Sequence, residues 1–163
     1  KVFLALSIST GARLGSVLTI AKADINLDTN NIIIKNHKSN RTYAGYLHQD
    51  FRELISKRME KLSPIDYLVS GTPQVLHRST ISKVFKNILD EIFNQGLDIE
   101  DSKRRVVIHT FRHTFASLLA IKGTPIYTIM KLMDHADISQ TIRYAKLSPD
   151  SGRDNVFDLK LIN

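Results

Sequence analysis

His109, Arg112 and His113 fall within HTFRHTF, residues 109–115, and apolar sequence follows directly. Three chemistries compete for them. His109 and His113, at i and i+4, share one helical face, as half of a zinc site would. The zinc-protease signature also needs Glu directly after the first His as general base; Thr110 stands there, and Arg112 would repel a dication. His109 and Arg112, at i and i+3, instead aim an acid–base group and a planar fork matched to two phosphate oxygens from one turn. The third reading is a helix end that is incidentally basic.

Other chemistry-bearing residues stand elsewhere in the chain. TGAR places Arg13 just after a turn, MDHADISQTIRYAK sets His135 nine residues before Tyr144, and a polar turn offers Lys38. A free tyrosine has a pKa of about 10, so Tyr144 needs help to act as a nucleophile at neutral pH.

These residues need elements to hold them. Val2–Ile8 reads as the end of a helix broken at Thr10-Gly11, and Arg13–Ile20 as a short helix with Leu14, Val17 and Leu18 on one face. Asp28–Asn31 and Asn36–Asn40 are turns around the β-branched run Ile32–Ile34, and Thr42–Leu47 follows. Together they predict a small antiparallel sheet of three strands. His48–Lys61 is helical in pattern, and Ser63-Pro64 stops it. Ser79 or Thr80 caps a helix through Phe93 whose stripe is Ile81, Val84, Phe85, Ile88, Leu89 and Ile92. Val106–Ile121, Ile126–Met133 and a helix from Ser139 carrying Tyr144 complete a fold that is mainly α.

The ordered set of TGAR, a hairpin lysine, HTFRH, DH and Tyr144 resembles the catalytic domain of the tyrosine recombinases, the phage integrase family that includes the Xer recombinases. The resemblance spans residues 10–144. It implies Arg13 and Arg112 as the family's arginine pair, His109 as the histidine three before the second arginine, His135 as the later histidine, Lys38 as the hairpin lysine with Lys35 as runner-up, and Tyr144 as the nucleophile. Two arginines on the non-bridging oxygens would stabilise the charge growing in the transition state, the task metal ions perform in many phosphoryl-transfer enzymes, so no metal or other cofactor is expected. A lysine on the hairpin would protonate the departing 5′-oxygen. The product would be a 3′-phosphotyrosyl link that a 5′-hydroxyl reseals without ATP. His113 is left without a catalytic role and is expected to pack or hydrogen-bond behind the site.

Two positions depart from the family pattern. An acidic residue usually stands three after the first arginine and braces the site; here it is Ser16, shorter and uncharged. Leu-Gly usually precedes the later histidine; here Met133-Asp134 sets a negative charge beside a phosphate site.

The chain has 163 residues, enough for one domain with a real core, with 42% hydrophobic residues. Its 23 Lys and Arg against 16 Asp and Glu leave a net charge of +7 and a pI near 9.7, which attracts polyanions. Phosphate contacts are expected from Lys35, Arg41, Lys103, Arg104 and Arg105. Base reading is expected from the helix after Arg78, through Arg78, Ser79, Ser82, Lys83 and Lys86. Zero cysteines remove disulfides, thiolate zinc sites and cysteine nucleophiles, and suit a reducing, cytoplasmic setting. GxxxxGK[ST] and GxGxxG are absent, and no apolar run nears the roughly 18 residues of a membrane helix, so no membrane partner is expected.

The start at Lys1 inside an apolar segment gives the expectation of a domain excised from a longer protein, its N-terminal core-binding domain lying outside this chain. Residues 1–150 are expected to form the catalytic domain. Residues 151–163, apolar at Val156, Phe157, Leu159, Leu161 and Ile162, are expected as a tail that docks either on its own core or on a neighbouring protomer. The partners implied are a double-stranded DNA recombination site and three further copies in a homo-tetramer of the full-length protein. The expected role is site-specific recombination, with Xer-type chromosome dimer resolution ahead of a phage or mobile-element integrase. A type IB topoisomerase and a decayed DNA-binding module are the other readings.

Overall fold

A computed structural model of the chain describes residues 1–150 and 152–158. Helix α1 (Val2–Thr10) buries Phe3, Ala5 and Leu6 together with Ser7, Ser9 and Thr10, so it runs through the interior. It stops because Gly11 turns to φ 60° and its N–H closes on the Ser7 carbonyl. Glycine is required there twice over: the left-handed φ disfavours a side chain, and a Cβ would collide with the Phe115 ring. Arg13 then leads, in extended conformation, into α2 (Leu14–Leu18). This helix is shorter than the expected Arg13–Ile20. The Thr19 hydroxyl bonds back to the Ser16 carbonyl, and the chain leaves toward a bridge between Ala21 and Tyr67.

The sheet has the expected three antiparallel strands, β1 (Ile25–Asn26), β2 (Asn31–Asn36) and β3 (Arg41–Tyr46), in that order. Ile32 and Ile34 are fully buried while Ile33 is 52% exposed, the alternation of a one-sided sheet. Lys35 pairs with Thr42 and Asn36 with Arg41, leaving residues 37–40 as the turn that carries Lys38. The Asn36 side chain shapes that turn by accepting the backbone N–H of Lys38 at 3.0 Å and of Ser39 at 3.4 Å.

Helix α3 (Arg52–Met59) follows a short 3-10 turn and buries Ile55. Helix α4 (Arg78–Phe93) begins earlier than expected because His77, not Ser79 or Thr80, is the cap: its Nδ1 accepts the Ser79 N–H at 3.3 Å. Its apolar stripe is only half used. Leu89 is buried and Phe85 packs between Phe3 and Phe111, whereas Val84, Ile88 and Ile92 stay exposed.

Helix α5 (Ile108–Ile121) is fixed at its start by Asn94, which grips both the N–H and the carbonyl of Val106 at 2.7 and 3.0 Å. Helices α6 (Ile126–Leu132) and α7 (Ser139–Ile142) follow, then a 3-10 turn at Ala145–Leu147 and α8 (Gly152–Phe157). Tyr144 therefore sits one residue beyond α7 and its cap, not on the helix expected to carry it.

Two apolar clusters form. The larger joins α1, α2, the sheet and α3 through Leu6, Val17, Leu18, Ile20, Ile32, Ile34 and Ile55; the smaller joins Ala116, Ala120, Ile129, Met133 and the Tyr144 ring. Phe115 and Leu119 pack on the smaller one, as the apolar run after His113 implied, while Leu118 points to solvent. Among the described residues no helix is long and apolar enough to cross a membrane. In the C-terminal tail Val156 and Phe157 are exposed, and Leu159, Leu161 and Ile162 lie outside the described residues.

Candidate active site

The site lies where the two clusters meet. Arg112, on α5, is 4% exposed, and its guanidinium reaches both halves: Nη1 donates to the Gly11 carbonyl at 2.6 Å and Nη2 to the Met133 carbonyl at 2.5 Å. The turn after α1 and the end of α6 are thus tied to one side chain. Burial, and then the Arg13 charge, lower its pKa to about 10, which still leaves it cationic at neutral pH.

A cavity of about 150 Å³ opens beside it, lined by His109, Arg112, His113, Met133, His135, Gln140, Arg143 and Tyr144. Four of the six residues read as catalytic from the sequence, His109, Arg112, His135 and Tyr144, are therefore brought together. Arg13 stands at the entrance to α2. Its charge acts on Arg112, His109 and His135, and its Nη1 donates to the Asp134 carbonyl at 3.5 Å. Lys38 is exposed at the hairpin tip and does not line the cavity.

The Tyr144 hydroxyl meets His113 Nδ1 at 2.6 Å. This corrects the expectation that His113 lies behind the site: one helical turn past His109, its imidazole reaches the phenolic oxygen directly. The His109 and His113 rings meet edge to face at 4.7 Å. Burial raises the Tyr144 pKa, opposed by the charges of Arg143 and Arg112.

All three imidazoles are pushed toward neutrality. Burial is the main cause for His109, helped by His113 and Arg112; for His113 it is burial, then Arg143 and Arg112. His135 is lowered to about 4 by burial, then by Arg112, Arg13 and Arg143, and its Nδ1 pairs with the buried Thr141 hydroxyl at 2.8 Å. Neutral imidazoles among guanidinium groups keep lone pairs able to take a proton.

Three participants had no role in the sequence reading. Arg143 was adjacent to the tyrosine, a signal that was available. Tyr43, on β3, has its phenol pushed up to about 12 by burial, with Arg112 opposing and Asp134 adding. Asp134 had a charge but no visible partner.

The ten residues expected at nucleic acid separate on inspection. Arg105 is turned inward and pairs with Asp90, also donating to the Leu97 carbonyl at 3.2 Å, so it closes the loop before α5. Lys35 pairs with Asp24 at 3.2 Å, Lys86 with Asp90 at 2.8 Å, and Arg104 with Asp101. Ser79 is engaged with His77 and Ser82 is half-buried. Arg78 is exposed, with its guanidinium lying against Gly15. Arg41, Lys83 and Lys103 are exposed and, among the described residues, form no ion pair.

Comparison with known proteins gives the same frame. Tyrosine recombinase XerA of Saccharolobus solfataricus is 27% identical over 153 residues, covering 94% of this chain and 47% of that protein. The chain spans about half the length of the curated relatives it matches. Among solved structures, the Tn1549 transposon integrase in complex with a circular intermediate DNA superposes with a TM-score of 0.71 at 16% identity, over 96% of this chain and 57% of that one. XerH bound to difH substrate gives 0.67 at 20% identity, over 99% and 46%. At such identities these two likenesses establish the fold. The phage integrase family model matches residues 1–150, nearly the whole chain, and so the chain belongs to the phage integrase family and carries the tyrosine recombinase catalytic-domain fold.

Proposed function

We propose that the protein containing this chain is a site-specific recombinase that cuts and rejoins DNA through Tyr144. The observation that carries this reading is the single cavity gathering Tyr144, Arg112 and three neutral imidazoles. The Tyr144 oxygen attacks phosphorus as its proton passes to an imidazole. Arg13 and Arg112 hold the non-bridging oxygens, and His135 donates a hydrogen bond to one of them. The P–O bond to the 5′-oxygen breaks, and Lys38 gives that oxygen a proton. A 5′-hydroxyl from another strand attacks the phosphotyrosyl bond in the reverse sense. The phosphodiester energy stays in the covalent link throughout.

His113, at 2.6 Å, is the imidazole placed to accept the phenolic proton, in the tautomer that carries hydrogen on Nε2. His109 stands beside it in ring contact. This moves to His113 the acid–base role that the i, i+3 spacing suggested for His109.

The partner we assign is duplex DNA, held by Arg41, Arg78, Lys83 and Lys103 with the other surface cations in support; the DNA-bound structures of XerH and the Tn1549 integrase favour it. We assign residues 1–150 as the catalytic domain and 151–163 as a docking tail. The assembly is a homo-tetramer of the full-length protein in the cytoplasm. Xer-type dimer resolution is the leading role, supported by the XerA and XerC relatives. A mobile-element integrase is the second reading, favoured by the likeness to the Tn1549 enzyme.

The test is a plasmid carrying two copies of a site selected from random-sequence duplexes by the full-length protein. Resolution into two circles without ATP is the expected result. Relaxation of supercoils without exchange would instead assign a topoisomerase.

A further inference from the structure

Asp134 occupies a position that disfavours it locally on two counts. It follows the C-cap of α6 at φ 48°, the left-handed conformation that glycine adopts without strain. Its N–H closes on the Lys131 carbonyl, and the His135 N–H on that of Met130, so this backbone shape ends the helix. The carboxylate also stands at the negative end of the α6 dipole. A side chain kept there in spite of both costs needs compensating contacts.

Those contacts lead across the site. The carboxylate is 13% exposed and lies 3.8 Å from Arg13 Nη1. The same nitrogen donates to the Asp134 carbonyl. Asp134 Oδ2 also accepts a hydrogen bond from Asn36 Nδ2. The other end of that amide, Asn36 Oδ1, accepts the backbone N–H groups of Lys38 and Ser39. A continuous chain thus runs from Arg13 through Asp134 and Asn36 to the turn bearing Lys38. Ser16, buried on α2 and uncharged, supplies no carboxylate to Arg13.

We propose that Asp134 is a positioning residue that fixes Arg13 and, through Asn36, the Lys38 turn on the same phosphate, taking over from the end of α6 the bracing that Ser16 does not give. The inference rests on the roles assigned above to Arg13 and Lys38.

Asp134→Gly tests it, because glycine removes the carboxylate while relieving the backbone. The full-length protein and its Asp134→Gly and Lys38→Ala variants are assayed on nicked duplexes of the selected site. One duplex is ordinary, and the other has sulfur replacing the bridging 5′-oxygen, a leaving group that needs no proton donor. Asp134→Gly is expected to keep or raise the melting temperature, yet slow cleavage of ordinary DNA by about 10- to 100-fold. The deficit should shrink on the sulfur duplex, as it does for Lys38→Ala. Wild-type rates in Asp134→Gly, or a fall in melting temperature together with activity, would overturn the proposal. A deficit equally large on both duplexes would overturn the link to Lys38. If the wild-type protein forms no adduct at all, the reading of the site fails and this inference with it. A wild-type adduct with an unaffected Asp134→Gly removes this inference alone.

Discussion

His113 Nδ1 and the Tyr144 hydroxyl oxygen lie 2.6 Å apart, joining α5 to the segment that follows α7. His113→Phe should therefore slow formation of the covalent adduct by about 10²- to 10⁴-fold, the usual range for loss of a proton acceptor. His109→Phe should cost less. Single-turnover cleavage of nicked duplex measures both, and the reverse order would return the role to His109.

The acid limb of the cleavage rate should report the same group. Burial and two arginines hold His113 below its ordinary value of 6.5, so it remains a proton acceptor at pH 6.5 and loses that capacity at more acidic pH. The rate is expected to fall on acidification along a limb centred below 6.5. A limb centred above 6.5, or one that persists in His113→Phe, would contradict the assignment.

Arg112 is a structural tie in addition to its proposed role as a phosphate ligand. Arg112→Ala leaves the buried Gly11 and Met133 carbonyls without their donor and should lower unfolding free energy by about 2–4 kcal/mol in urea titrations. Arg112→Lys should restore part of the stability but little of the cleavage, since one ammonium does not span both carbonyls and the phosphate. Unchanged stability in Arg112→Ala would show that the two carbonyls find other partners.

His135 makes stability pH-dependent. Its folded-state pKa of about 4 lies below its ordinary 6.5, so the unfolded chain takes up the proton first as pH falls. The His135 contribution to stability should decline between about 6.5 and about 4 and level off below. His135→Asn should flatten that part of the curve, as followed by thermal melts across the range.

Salt dependence of DNA binding separates the surface cations. Substituting Arg41, Lys83 or Lys103 with Gln should each reduce the slope of log affinity against log salt by about 1. Arg105→Gln should leave the slope unchanged and lower the melting temperature instead, because its guanidinium is committed to Asp90. A reduced slope for Arg105→Gln would place that residue at the DNA.

Much of this arrangement was legible in the residues alone. The β-branched run Ile32–Ile34 and its flanking turns specified the sheet, and Thr10-Gly11 marked a helix end, because turn chemistry is local. The ordered arginines, histidines and tyrosine marked the cavity. What was not legible depends on contacts across long sequence separations. The i, i+4 spacing of His109 and His113 gave no hint that the second ring meets Tyr144, because that meeting requires α5 and the segment after α7 to fold together. Asp134 looked misplaced until Arg13 and Asn36, far upstream in the chain, arrived beside it. Arg105 read as a surface cation because its partner, Asp90, sits upstream on α4, across the loop that Arg105 closes. The α4 stripe read as core because periodicity records the apolar face and not what covers it.

The central claim is that Tyr144 is the nucleophile of a DNA transesterification. Its most direct test is a suicide duplex, nicked beside the scissile phosphate, incubated with the full-length protein and resolved on a denaturing gel. A covalent protein–DNA adduct is expected, with the 3′-phosphate mapped to the peptide containing Tyr144, and it should vanish in Tyr144→Phe. An adduct that survives Tyr144→Phe, or one mapped to another residue, would contradict the account.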